Sequence, residues 1–294
     1  MSTPVTAKLV AELRARTGAG MMDCKKALEE TGGDIAKAVD LLRTKGIAKA
    51  EKRAGRAASE GQIVADVSAD ARTGVLVEVN CETDFVARTD EFKAMVASIA
   101  KHVAQDASVD GVAVIGAEDT YLSDKWSQGG AATVGEVVKA ASAKTGENVV
   151  LRRIARFASA GTVGAYLHHN GKVAVLAELL GTSGDGVVPL AKSVAEHVAA
   201  GVPAVALSVD KDGVDERVVE REKAIYVEQA AASGKPANII EKMVTGRLEK
   251  FYAEVTLLNQ PWVRDDSKTI KQLIAATGAG LTVRRFARFQ MGEE

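Results

Sequence analysis

A repeat inside the chain narrows what it can fold into more than any other feature. Val75-Leu76-Val77-Glu78-Val79 matches Val175-Leu176-Ala177-Glu178-Leu179, and each run leads into a helical pattern, one holding Ala100-Lys101-His102-Val103-Ala104 and the other Ala195-Glu196-His197-Val198-Ala199. The closing segments repeat as well. Thr145-Gly146 precedes Leu151-Arg152-Arg153-Ile154-Ala155-Arg156-Phe157, and Thr277-Gly278 precedes Val283-Arg284-Arg285-Phe286-Ala287-Arg288-Phe289. Each copy reads as a hairpin, a helix, a further helix and a final strand, so the expected class is α+β with two related subdomains, residues 61–158 and 159–294. In the closing strands, alternation sets Arg153, Ala155 and Phe157 against Arg152, Ile154 and Arg156, which puts paired arginines at the rim of a sheet; an arginine finger is the rarer reading.

The copies differ at one place. In the first, the apolar run ends in Asn80-Cys81-Glu82-Thr83-Asp84-Phe85-Val86-Ala87, ahead of a helical pattern with Phe92, Met95, Val96, Ile99 and Val103. This is a strand-to-helix loop, the kind of surface segment that often carries function. Asp84 is expected to accept bonds from the free N–H groups of the first helical turn, and Phe85 to offer a rigid apolar body from a firmly held base. The alternative is a Phe85 folded back under its own helix. In the second copy Leu180-Gly181-Thr182-Ser183-Gly184-Asp185-Gly186 takes this position, with no equivalent apolar residue. A phenylalanine needed only to close the fold would recur, so the comparison favours an exposed, working Phe85.

Ahead of the repeat, residues 1–46 read as three short helices. Leu9, Val10 and Leu13 stripe the first, which stops at Gly18; 21–30 is the second, ended by Thr31-Gly32-Gly33; Asp34 caps a third that stops at Gly46. Residues 47–60 read as a basic helical linker, since 43–56 holds Arg43, Lys45, Lys49, Lys52, Arg53 and Arg56 against Glu51. A solvated face is the commoner explanation of such a run, and contact with RNA phosphates the other. The second copy is interrupted at about 214–255 by two charged, heptad-like helices turning at Ser233-Gly234-Lys235-Pro236. At about 1.5 Å per residue, helices of roughly 18 residues make a hairpin some ~27 Å long, which packs on its own subdomain or pairs with another hairpin.

Little in the chain supports chemistry. There is no phosphate-binding G-x-x-x-x-G-K loop, no G-x-S-x-G elbow and no H-E-x-x-H helix. His168-His169 falls in a hairpin turn where adjacent side chains are expected to point apart, as surface residues and not metal ligands. Cys24 and Cys81 have no metal-type spacing, and no histidine is placed by sequence to activate Cys81. Reduced thiols point to the cytoplasm, no apolar run is long enough for a membrane span, and a net charge of -1 argues against a polyanion partner for the whole molecule. With aromatics at only 4%, a stacking platform for single strands is disfavoured, leaving a binder of another macromolecule.

Two stretches carry a resemblance: Leu13-Arg14-Ala15-Arg16-Thr17-Gly18-Ala19-Gly20-Met21-Met22-Asp23-Cys24-Lys25-Lys26-Ala27-Leu28 and Glu78-Val79-Asn80-Cys81-Glu82-Thr83-Asp84-Phe85-Val86-Ala87. They strongly resemble the bacterial translation elongation factor Ts family, and the likeness continues through the linker, the duplicated core and the hairpin. The three N-terminal helices resemble the ubiquitin-associated type of domain, though a fold does not fix a function. The resemblance implies a guanine-nucleotide exchange factor for elongation factor Tu, without catalytic residues, metal or cofactor of its own. It implies that Asp84 and Phe85, flanked by Thr83 and Val86, enter the partner's GTPase domain and disturb its magnesium site. Arg14, Met21 and Met22 match positions that contact the same domain, and His168 and Lys192 match contact positions in the second subdomain. The hairpin matches a coiled-coil element through which a homodimer can form. Neither membrane nor direct nucleic-acid binding is implied; an RNA-binding accessory protein of translation is the alternative. Some members have a histidine where this chain has Ser193, and some continue into a C-terminal helix beyond the position of Met291-Gly292-Glu293-Glu294.

Overall fold

In the computed structural model, residues 4–130, 132–181, 186–232, 235–278 and 280–293 are described. Three helices open the chain because each has its stop and start signals. The Thr6 hydroxyl accepts a bond from the Leu9 amide to begin α1 (Ala7–Thr17), and Gly18, at φ 67°, ends it in a left-handed turn that disfavours any residue with a Cβ. Helix α2 (Met21–Glu30) follows, then α3 (Ile35–Glu51), whose N-cap Asp34 accepts from the Lys37 amide at 3.1 Å. Their apolar stripes meet in a small core of Val10, Leu13, Cys24, Ala27, Leu28 and Ala38. Gly46 does not stop the third helix, contrary to the sequence reading. A Cβ there would stand 3.0 Å from the Ala143 Cβ, so Gly46 is where α3 passes close to another helix, and the first part of the expected linker, as far as Glu51, is continuous with α3.

The remaining elements are β1 (Glu60–Val67), β2 (Thr73–Cys81), α4 (Asp84–Ala87), α5 (Asp90–Gln105), β3 (Gly111–Val114), α6 (Val134–Thr145) and β4 (Val150–Ala158). After these come β5 (Thr162–Leu167), β6 (Val173–Leu180), α7 (Val187–Ala200), α8 (Glu216–Ala231), α9 (Ala237–Val255), β7 (Pro261–Trp262), β8 (Asp265–Thr269), α10 (Ile270–Thr277) and β9 (Thr282–Gln290). One sheet has the order β1-β2-β4-β3, a second β5-β6-β9, and β7 pairs with β8. In the second sheet both ladders are antiparallel, with Ala177 opposite Gly164 on one side and Phe286 on the other. Helices are interspersed among strands whose ladders in the second and third sheets are antiparallel, so the class is α+β.

The described residues fall into two compact units. One draws on the described residues within Met1–Val64, Val77–Ala155 and Met291–Glu294, the other on those within Ala65–Leu76 and Arg156–Gln290. In the first, α3 lies along α6, with Arg43 paired to Glu136 at 2.7 Å and Lys139 to Glu51 at 2.9 Å. In the second, α7 covers β5 and β6; Val175, Leu179, Leu190, Val194, Val198 and Leu257 are among the residues of its core. Phe157 and Phe289, each 1% exposed, are of the buried kind whose truncation costs about 3–5 kcal/mol.

Equivalent positions of the two copies make equivalent contacts. A Cβ on Gly61 would collide with the Val79 carbonyl, and one on Gly161 with the Leu179 carbonyl, so both hairpins are glycine-dependent at the same place. The Nδ1 atom of His102 accepts from the Ser127 amide at 3.2 Å, and that of His197 from the Val263 amide at 3.2 Å. Thr133 with Glu136 and Thr269 with Gln272 form capping boxes at the starts of α6 and α10. Of the closing-strand arginines expected at a sheet rim, Arg284 stays exposed, whereas Arg153 and Arg285 are largely covered. Arg153 Nε donates to Glu78 at 2.5 Å, while Arg285 at 2.5 Å and Arg284 at 3.1 Å donate to Glu178. Glu78 and Glu178 are buried, and a buried carboxylate needs such partners. Arg284 and Arg285, which alternation sets on opposite faces, both reach Glu178, Arg285 largely covered and Arg284 still exposed.

Helices α8 and α9 pack on each other across 232–236, with Arg247 donating to Gln229 at 2.7 Å. Their seam buries Ala230 and Val244, whereas Ile225, Val227 and Ile239 stay exposed. Ser233 and Gly234, which the sequence reading put in the turn, lie outside the described residues, as do Thr182, Ser183, Gly184, Asp185 and Glu294.

Candidate functional site

The segment that sets the two copies apart is held by two loops and a strand of the first unit. At the end of β2 the chain leaves the sheet at Cys81, and Thr83, in extended conformation at φ -128°, caps α4 by accepting from the Val86 amide. Asp84 is therefore not the cap. It is the first residue of its own short helix, and its carboxylate pairs with Arg88 at 2.9 Å. A negative charge in a first helical turn is favoured by the exposed N–H groups there. A second cap, Thr89, starts α5 by accepting from the Phe92 amide at 3.2 Å, so the four residues of α4 are held apart from the longer helix.

Phe85 is 82% exposed, while Val86 is half-buried and Ala87 buried. The base beneath it is tied down. Gln62 Nε2 donates to the Ala87 carbonyl at 2.9 Å. Glu147, in the loop between α6 and β4, accepts from the Glu82 amide at 3.0 Å, the Thr83 amide at 3.1 Å and the Thr83 hydroxyl at 2.5 Å. In return Glu82 accepts from the Asn148 amide at 2.6 Å, and this bond, with help from Arg56, holds the Glu82 carboxyl below the usual carboxylate range. Glu147 has no local signal in the sequence. Comparing Thr145-Gly146-Glu147 with Thr277-Gly278-Ala279 would have drawn attention to it.

Cys81, beside this loop, is no nucleophile. Its thiol is buried and donates to the Thr83 carbonyl at 3.2 Å; desolvation, with the nearby Glu147 charge, pushes it up to about 12, so it stays protonated at neutral pH. A cavity of about 870 Å³ in the same unit is lined by Asn80, Ser142, Asn148 and Arg152 among others, and its lining includes neither cysteine nor histidine. Among the described residues no group of three metal-ligating side chains comes together, and no helix is long and apolar enough to cross a membrane.

The other sequence-derived positions lie elsewhere. Met21 and Met22 open α2 and are 59% and 63% exposed, so neither packs in the core. Arg14 is exposed on the last turn of α1. His168 and Lys192 belong to the second unit. His168 follows β5 in a turn closed by its amide to the Val173 carbonyl at 2.8 Å, and its ring meets the Tyr166 hydroxyl at 3.0 Å. The His168 and His169 rings do not point apart; their centroids are 4.1 Å from each other. Lys192 is exposed on α7, beside the point where a Cβ on Gly164 would collide with the helix backbone, so this glycine lets β5 and α7 approach.

Comparison with known proteins identifies the family. The family model described as elongation factor TS matches residues 82–293. Elongation factor Ts of Thioalkalivibrio sulfidiphilus (strain HL-EbGR7) is 46% identical over 291 residues, covering 98% of this chain and 92% of the relative. That of Methylococcus capsulatus is 46% identical over 290 residues with the same coverage, and that of Halothermothrix orenii 44% identical over 289, covering 98% and 93%. With a family model spanning most of its length and relatives of this similarity along nearly all of it, the chain belongs to the elongation factor Ts family.

Proposed function

We propose that this chain releases GDP from elongation factor Tu by inserting Asp84 and Phe85, with Thr83 and Val86 at their flanks, into the GTPase domain beside its magnesium and phosphate site. Membership of the family makes the chain a nucleotide-exchange factor acting in translation elongation. Exchange needs no catalytic residue. Linkage requires only that the factor bind the nucleotide-free partner more tightly than the nucleotide-bound one, and a wedge that favours a displaced packing of magnesium and phosphate ligands supplies that difference. The observation that carries the reading is a phenylalanine 82% exposed on a helical turn whose base is capped and tied.

Arg14, Met21 and Met22 are proposed as a second contact with the same domain, where exposed thioethers adapt to a surface that moves. His168 and Lys192 are proposed as contacts of the second subdomain. The domain division 1–46, 47–60, 61–158 and 159–294, with two related α+β subdomains and a ubiquitin-associated-like start, is part of this proposal. Its support is the matching use of Gly61 and Gly161, His102 and His197, and Glu78 and Glu178. The hairpin of α8 and α9 is proposed as a self-association element, supported by the exposed Ile225, Val227 and Ile239. The expected compartment is the cytoplasm, in keeping with two free, buried cysteines.

The RNA-binding alternative is weakened by the fate of the basic run. Arg43 pairs with Glu136, Lys45 with Glu30, Lys49 with Asp23 and Arg56 with Glu82, while Arg53 donates to the Ser142 carbonyl. Charges already paired with acids of the same chain, even at its surface, are not a free phosphate-binding stripe. Stopped-flow release of a fluorescent GDP from elongation factor Tu, with and without this protein, tests the reading; release at the unassisted rate would refute it.

A further inference from the structure

We propose that Glu147 is a positioning residue for exchange: its carboxylate sets the backbone path that turns Phe85 out of the fold. The inference rests on the reading of Phe85 as the inserted side chain.

Three observations carry it. First, one carboxylate collects three donors from the two residues that precede the projection: the Glu82 amide, the Thr83 amide and the Thr83 hydroxyl. Bonds to an ionised acceptor are short and directional, and three of them fix the chain direction at Thr83. A hydroxyl has one proton to give. With that proton on Glu147 Oε1 at 2.5 Å, the Thr83 oxygen turns its lone pairs to the Val86 amide, the bond that starts α4. Glu147 therefore acts on the helical turn bearing Phe85 through the Thr83 cap.

Second, the brace is itself anchored. Glu82 accepts from the Asn148 amide, and Asn148, which is buried, donates from Nδ2 to the Arg56 carbonyl at 2.7 Å. The two loops are cross-tied, each carboxylate accepting from the other loop's backbone.

Third, the residues that make this arrangement occur, in sequence, in the copy that carries Phe85 and not at the matching positions of the other. In sequence, the second copy has Ala279 where Glu147 stands and lacks the Thr-Asp-Phe stretch. There a Cβ on Gly181 would collide with the Gly280 carbonyl, so the two backbones meet directly without an intervening side chain. A carboxylate needed simply to close this corner of the fold would be wanted in both copies.

The test is a double-mutant cycle in the full-length chain, with Glu147→Ala, Glu147→Gln and Glu147→Asp made alone and with Phe85→Ala. Fluorescent GDP release from elongation factor Tu is measured against factor concentration, alongside the melting temperature of each variant. Glu147→Ala is expected to slow exchange about tenfold with the melting temperature within a few degrees of the parent. Glu147→Gln, which keeps one acceptor oxygen but turns an amide group toward N–H donors, should lie between the two. In the Phe85→Ala background the same changes should cause no further loss. A slow Phe85→Ala that slows by the same factor again with Glu147→Ala overturns the proposal alone. Full-rate exchange by Phe85→Ala overturns the underlying reading and the proposal with it. A large fall in the melting temperature of Glu147→Gln makes the residue a general structural brace and also overturns it, as does full-rate exchange by Glu147→Ala.

Discussion

Truncating Phe85 separates a working side chain from a structural one, because the two roles differ in where the apolar surface is buried. The residue is 82% exposed in the free chain. A phenylalanine can bury on the order of 200 Å², so roughly four-fifths of that, ~160 Å², remains for a partner and only about ~40 Å² supports its own fold. At about 25 cal/mol per Å² the first share is worth up to about 4 kcal/mol in the complex and the second at most about 1 kcal/mol in the free protein. Binding never realises the whole transfer term; exposed aromatic anchors commonly cost about 2 kcal/mol or more on truncation, roughly thirtyfold in rate or affinity. Phe85→Ala should therefore slow GDP release from elongation factor Tu by about thirtyfold while lowering the melting temperature by no more than about 4 °C. The assay pairs stopped-flow release of a fluorescent GDP with calorimetry on the same preparation. A core phenylalanine would reverse the pattern, destabilising by about 3–5 kcal/mol. Normal melting with normal exchange, or a collapse in melting temperature, would refute the reasoning.

Replacing α8 and α9, from 214 to 255, by a short glycine linker should leave exchange largely intact and abolish the proposed self-association, read by light scattering; loss of exchange in a folded deletion would put the hairpin at the partner surface instead. Cys81 should resist iodoacetamide at pH 8 in the native protein, since burial pushes its thiol up to about 12 and leaves almost no thiolate; rapid native-state labelling, read by mass spectrometry, would contradict the buried geometry. Burial depresses the pKa of both His102 and His197, outweighing the nearby Asp106 and Asp124 in the first case and the Gln260 bond in the second. As pH falls through the unfolded value of about 6.5, the unfolded chain takes up protons that the native state refuses, so stability should drop between pH 7.5 and 5.5; a melting temperature flat across that window would count against neutral, buried imidazoles.

The local signals read well where one residue decides one event. Gly18 needs a left-handed turn, Asp34 a cap, and both do what their chemistry favours. They read poorly where neighbours compete. Thr83 and Asp84 are both capping residues, and which of them takes the extended conformation depends on Glu147, 64 positions from Thr83 in the chain, drawing the threonine amide and hydroxyl to itself. Gly46 looks like a stop because glycine weakens a helix; here it is the gap through which α3 passes Ala143, and the packing outweighs the local cost of about 1 kcal/mol. Arg153 and Arg285 alternate as expected in their strands, but alternation cannot say whether the face they occupy meets water or a buried glutamate.

By itself, the sequence determined that the chain is an α+β protein with an internal repeat and that one copy carries a Thr-Asp-Phe stretch the other lacks, since strand period, helix period and duplication are properties of residue order. Phe85 faces solvent as the repeat comparison favoured, but tertiary structure alone decided that Met21 and Met22 do so too and that Glu147 and Asn148 brace the loop from which Phe85 projects. Exposure and bracing depend on which distant segments fold back over a residue, and no short-range pattern encodes that.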